Sequence, residues 1–184
     1  MIIMKNNKDH CSEQLPKLGI QPYLELMKTT AKHESKGASA RLGLLMLWFS
    51  DNYLDAVDLA LSPFGITESK LDLLLLLKLH ENREGITPSS LADRLGIRRA
   101  SVTALLEWLE KRDLIAREQS KLDRRMVYVK ITAEGLELLD KTLPTFWSAC
   151  STVMSDLDQE ETMFLDKILV KLNAGIEKKL GMGR

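Results

Sequence analysis

The chain has 184 residues, with 26 Lys+Arg against 26 Asp+Glu, so its formal net charge at neutral pH is zero. Apolar residues make up 45% and charged residues 28%, an ordinary globular composition with length enough for a sizeable core. That neutrality argues at first sight against a nucleic-acid partner, and uncharged stretches such as 42–50 and 73–77 fall far short of the roughly 20 residues a membrane-spanning helix needs.

Residues 1–39 are polar and weakly periodic, broken by Pro16, Gly19 and Pro22, and read as a partly flexible N-terminal extension. Within it, Tyr23 to His33 has the pattern of a short helix, with Tyr23, Leu26 and Met27 on one face. Lys36-Gly37-Ala38-Ser39 reads as a linker. Arg41 to Leu61 reads as a long helix with Leu42, Leu45, Trp48, Phe49 and Leu59 near one stripe, ended by Pro63 and Gly65. Thr67 is the expected N-cap of a helix to about His80, apolar nearly all round and therefore central. Thr87-Pro88 opens a short helix that turns Leu91, Ala92 and Leu95 inward and closes at Gly96. A third helix runs from about Arg99 to Arg112, with Val102, Leu105, Leu106 and Leu109 inward. The period then changes: residues 114–118 and 126–131 read as two strands joined by a charged tip. Thr132 caps a long helix to about Ser155, with a kink expected at Pro144. Asp158-Gln159-Glu160-Glu161 opens a last helix carrying Leu165, Ile168, Leu169, Leu172, Ile176 and Leu180 at three- and four-residue spacing.

Helix, short helix, Gly turn, helix and hairpin in this order form a winged helix-turn-helix, so the fold class is mainly α with a small β-hairpin wing. In such a unit the second helix of the pair meets base edges in the major groove. The outward residues at its start are Arg98, Arg99, Ser101 and Thr103, and the hairpin tip carries Lys121, Arg124 and Arg125. Arginine pairs bidentately with guanine, and hydroxyls serve base edges or phosphates. Positive charge at a helix N-terminus opposes the helix dipole, so Arg98 and Arg99 call for a functional reason, which DNA supplies. The bland alternatives are a solvated helix start and a charged tip that protects a sheet edge; Ser101 and Thr103 can equally satisfy local backbone groups.

The segments Leu91-Ala92-Asp93-Arg94-Leu95-Gly96-Ile97, Val102 through Ile115, Asp123-Arg124-Arg125 and Val129-Lys130-Ile131-Thr132-Ala133-Glu134-Gly135 resemble the multiple antibiotic resistance regulator (MarR) family of bacterial transcription factors, in register over residues 40 to about 180. The resemblance implies a homodimer with intertwined terminal helices. The chain then divides into an N-terminal extension (1–39), dimerisation helices (40–66 and 132–184) and a DNA-binding domain (67–131). It also implies a wing arginine in the minor groove. Asp123 and Arg125 match the family's Asp-x-Arg, which makes Asp123 the wing-orienting residue through a carboxylate–guanidinium fork. Two departures stand out. Where the family often has Arg four residues before another Arg or Lys, this chain has Ala104 and Trp108; where a Ser usually caps the recognition helix, it has Arg98.

The expected function is a dimeric, sequence-specific DNA-binding regulator, a repressor released by a small aromatic or amphipathic effector, with a pseudo-palindromic operator as its partner. Trp48, Phe49 and Tyr53 are the residues expected at an effector pocket; the bland reading of such a stripe is core or dimer interface. Alternatives are an oxidant sensor of the same fold acting through Cys11, or a winged-helix protein-interaction module without DNA binding. No nucleophile–base set, paired carboxylates or phosphate loop points to an enzyme. Cys11 and Cys150 are too few for a disulfide framework, with Cys150 read as a small buried hydrophobe. His10, His33 and His80 show no ligand spacing and read as surface or linker residues, so neither metal nor cofactor is expected. Without an apolar signal region at its start, a cytoplasmic location is expected. The zero net charge is itself an average. Residues 98–130 hold nine basic and five acidic side chains, a net of +4, whereas residues 131–184 hold six basic and nine acidic, a net of −3. DNA meets the local field of the basic segment, not the average.

Overall fold

The computed structural model describes residues 19–30, 37–81, 86–120, 123 and 125–180. The chain divides into two compact units, residues 1–51 and 52–184. The first contains α1 (Gln21–Thr30) and the leading part of α2 (Gly37–Leu61). Leu24 is buried there, and the Tyr23 ring lies 5.6 Å from that of Trp48. Gly37, Ala38 and Ser39, expected in a linker, are already helical. Alanine is the best helix former, and a glycine at the first position of a helix costs less than one in its interior, so the small residues extend α2 instead of breaking it.

In the second unit α2 ends on Val57 and Leu61, both buried, and a 3-10 turn at Ser62–Phe64 containing Pro63 stops it. Next comes α3 (Glu68–Leu79), whose Leu71, Leu73, Leu74 and Leu77 are buried, as its apolar surface requires. Thr67 holds the extended N-cap position but makes no side-chain cap; the Asp58 carboxylate accepts the Glu68 N–H at 2.5 Å instead. The remaining elements are α4 (Pro88–Leu95), α5 (Arg99–Glu110), β1 (Ile115–Gln119), β2 (Val127–Ile131), α6 (Ala133–Thr152) and α7 (Gln159–Leu180). The two strands pair antiparallel from Ile115↔Ile131 to Gln119↔Val127. One core joins α3, α4, α5 and the sheet through Leu91, Val102, Leu106, Leu109, Ile115 and Val129, with Leu139 of α6. The described residues are mainly helical with this one hairpin, and none of their helices is long and apolar enough to cross a membrane.

Opening α6, Thr132 accepts the Gly135 N–H on its hydroxyl at 3.1 Å, and α6 runs through Pro144 as one helix. The capping box expected at Asp158 opens α7: Asp158 donates its N–H to the Glu161 carboxylate at 3.0 Å, and Glu161 donates its own back to Asp158 at 2.9 Å. Yet no residue of α7 is buried within one chain.

Tyr53 packs against the core, and burial, reinforced by a hydrogen bond with half-buried Cys150, pushes its pKa up to about 12. The folded value lies above the ordinary 10.0, so the contribution of the neutral phenol is complete below pH 10 and is lost as pH rises through about 12. Urea unfolding across that window should show wild-type stability falling more steeply than that of Tyr53→Phe. Parallel curves would contradict the assignment.

Candidate nucleic-acid interface

A reciprocal capping box starts α4. The Thr87 hydroxyl accepts the Ser90 N–H at 3.1 Å, and the Thr87 N–H donates to the Ser90 hydroxyl at 3.0 Å. Pro88 occupies the first turn, where its missing N–H costs nothing. The helix buries Leu91, Ala92 and Leu95 and ends at Gly96, whose φ of 66° lies in the left-handed region that glycine adopts without a Cβ penalty. That turn re-aims the chain into α5, which buries Val102, Leu106 and Leu109. The opposite face therefore stands in solvent, and Arg98, Arg99, Ala100, Ser101, Thr103 and Ala104 are all exposed along it.

Arg98 occupies the N-cap position with φ −65° and ψ 144° and gives no side-chain cap. The first N–H groups of α5 thus lack the Ser-type cap and sit beside two guanidinium groups, an electropositive helix end. The Thr103 hydroxyl donates to the Arg99 carbonyl at 3.0 Å, which commits its proton to the helix backbone. At the far end, Arg117 Nε of β1 lies 3.1 Å from Glu110 Oε2, tying the end of α5 to the wing root.

Beyond the strands, the Ser120 N–H donates to the Met126 carbonyl at 2.9 Å. The Ser120 hydroxyl accepts the Asp123 N–H at 3.2 Å, and the Asp123 carboxylate accepts the Arg125 N–H at 2.9 Å. The fork expected between Asp123 and the Arg125 guanidinium is not among the ion pairs of the described residues. Asp123 shapes the tip through the backbone, as an Asx turn does two residues on, and leaves the exposed Arg125 side chain outward. Lys121 and Arg124 lie outside the described residues, as does Cys11.

A further group is brought together that sequence reasoning missed. The Arg112 guanidinium carbon lies 3.7 Å from the centroid of the Trp108 ring, and Lys70 Nζ of α3 lies 4.6 Å from it. The four-residue step from Trp108 to Arg112 was legible; Lys70 arrives only through tertiary packing.

Of the residues expected at an effector pocket, Trp48 stacks near Tyr23, Phe49 is 50% exposed, and Tyr53 faces the core and Cys150. None of the three lines either of two cavities that the described residues form, one within each unit. One, of about 300 Å³, is lined by Tyr23, Leu26, Met27 and Leu44. The other, of about 150 Å³, is lined by His80, Ile86, Val129 and Leu136 among others. Expected at the surface, His80 is half-buried, its Nδ1 2.9 Å from the Leu76 carbonyl, because the end of α3 is covered on one side by β2. His33 and His10 lie outside the described residues.

The family model described as MarR family matches residues 66–127, from the start of α3 to the second strand of the wing. The Bacillus subtilis HTH-type transcriptional regulator YhbI is 36% identical over 129 residues, covering 68% of this chain and 81% of that protein. The Escherichia coli transcriptional repressor MprA is 36% identical over 112 residues, covering 56% of this chain and 63% of its own length, so this chain spans less than two thirds of it. Among solved structures, a complex of S. aureus MepR with DNA superposes with a TM-score of 0.64 at 26% identity, over 72% of this chain and 96% of MepR. The family model over the winged-helix segment, and a 36% identical relative matched over 81% of its own length, show that the chain belongs to the MarR family.

Proposed function

We propose that this protein is a dimeric, sequence-specific DNA-binding transcriptional regulator, non-catalytic and cytoplasmic. It acts as a repressor whose grip on a pseudo-palindromic operator a small aromatic or amphipathic molecule releases. The observation that carries the reading is the exposed, uncapped, arginine-led start of α5, set on a buried helix pair within a segment of net charge +4. Arg98 and Arg99 meet the groove, with Ser101 and the Thr103 methyl group beside them; Arg125 enters from the wing, and Lys121 and Arg124 meet phosphate. MprA is named a repressor and MepR was solved on DNA, which supports the same role here.

Dimerisation belongs to residues 40–66 and 132–184. In α7, Ile168, Leu169, Leu172 and Ile176 recur at three- and four-residue spacing and are all exposed within one chain, so this helix needs a partner, and a second copy supplies it. Two linked recognition helices then read half-sites about one helical turn, roughly 10 base pairs, apart. Release by an effector is a population shift toward a spacing of the two lobes that misfits successive grooves.

Fluorescence anisotropy against duplex DNA from upstream of the gene, run through a salt series, tests the reading. Specific binding with a steep negative salt dependence is the expected result; a flat, weak response to every duplex contradicts it. Arg99→Ala should cost roughly 1–3 kcal/mol and relax base preference at one step per half-site, whereas Arg125→Ala should weaken binding to all sequences. Equal loss by the Arg99 variant on every operator change would remove its base-reading role.

A further inference from the structure

We infer that Lys70 and Arg112, gathered over the indole of Trp108, form a phosphate clamp that grips the DNA backbone beside the recognition helix; this rests on the DNA-binding reading above. Arg112 Cζ and Lys70 Nζ lie 3.7 and 4.6 Å from one ring centroid, which brings the two cations to less than about 9 Å of each other. Such crowding of like charge is unfavourable unless something negative answers it. No carboxylate does: neither residue takes part in an ion pair among the described residues, and the polar contact of Lys70 is with the Thr67 hydroxyl at 3.0 Å. The indole π-system attracts both cations without neutralising them. Stacking occupies only a face of the guanidinium, so the N–H fork at the edge of exposed Arg112 is left to meet the two oxygens of a phosphodiester.

The position fits a groove wall. Ser101, Ala104, Trp108 and Arg112 succeed one another at three- and four-residue steps along one flank of α5 and just beyond its end. Arg112 stands roughly 16 Å along the helix axis from Ser101, and the major groove is only about 12 Å wide. A helix whose start meets base edges therefore carries its far flank to the phosphates. This also accounts for the departure at Trp108. Where the family often places a cation, this chain places an aromatic ring that gathers two.

The test compares the full chain with Lys70→Ala, Arg112→Ala, Trp108→Leu and Trp108→Tyr on the upstream duplex and on a scrambled duplex, across a salt series, with a thermal melt of each variant. Each lost cation should weaken both duplexes by the same several-fold factor and make the log–log salt slope shallower by about 0.9. Trp108→Leu keeps apolar bulk without an aromatic face and should lose slope in the same way, whereas Trp108→Tyr should retain it. Folded Lys70→Ala and Arg112→Ala proteins with the wild-type slope would overturn the clamp while leaving the regulator reading intact. A wild-type protein that binds neither duplex would overturn both.

Discussion

Gly135→Ala should destabilise the second unit by roughly 3 kcal/mol, the upper part of the range for forcing a methyl into a filled site, and lower its melting temperature by about 6–12 °C. A Cβ at this position would sit on the Leu114 carbonyl oxygen and lie 2.8 Å from Ile131 Cγ1. The oxygen cannot retreat freely. It accepts the Thr132 N–H at 3.1 Å, while the Thr132 hydroxyl donates to the Asp113 carbonyl at 2.6 Å and caps Gly135 at 3.1 Å. One knot of backbone thus joins the end of α5, the root of the wing and the start of α6. Moving it apart displaces the wing from the recognition helix, so DNA affinity should fall along with stability. Urea unfolding gives the energy; a loss below about 0.5 kcal/mol would show that the close approach is dispensable.

The second large effect is expected from Ile168→Asp combined with Leu172→Asp. Within one chain these side chains are 51% and 40% exposed, so the double substitution removes little from the isolated fold, and far-UV circular dichroism should still show a folded, mainly helical chain. In the dimer proposed above the same side chains would be buried, each contributing about 1.5–3 kcal/mol of apolar burial, and a carboxylate without a partner there would be strongly unfavourable. Sedimentation velocity should therefore show a folded monomer in place of a dimer. Affinity for the operator should drop by at least about 100-fold, because each recognition helix must then bind alone. A variant that still sediments as a dimer would place the interface elsewhere.

Much of the fold could be read locally. Thr87-Pro88, Gly96, the change of period after Asp113 and the capping box at Asp158 each act within four residues, and each element they mark is present. What escaped depends on distance along the chain. Asp58 caps α3 from ten residues away, Lys70 reaches Trp108 from another helix, and the Leu114 carbonyl that makes Gly135 necessary sits 21 residues before it. None of these contacts has a periodic signature. At the site, the identity of exposed residues was legible because the buried face of α5 dictates its outward one. The hydrogen-bond targets of Thr103 and Asp123 were not, because short polar side chains choose between backbone and partner only once the backbone is placed.

On the proposed reading, two copies of this chain set two recognition helices into successive turns of the same face of a duplex. Hydroxyl-radical footprinting of the wild-type protein on its upstream DNA tests it most directly. Two protected patches related by a dyad are expected, their centres roughly 10–10.5 base pairs apart, both lost together in the Ile168→Asp, Leu172→Asp protein. A single patch, or protection that persists unchanged in the monomeric variant, would contradict it.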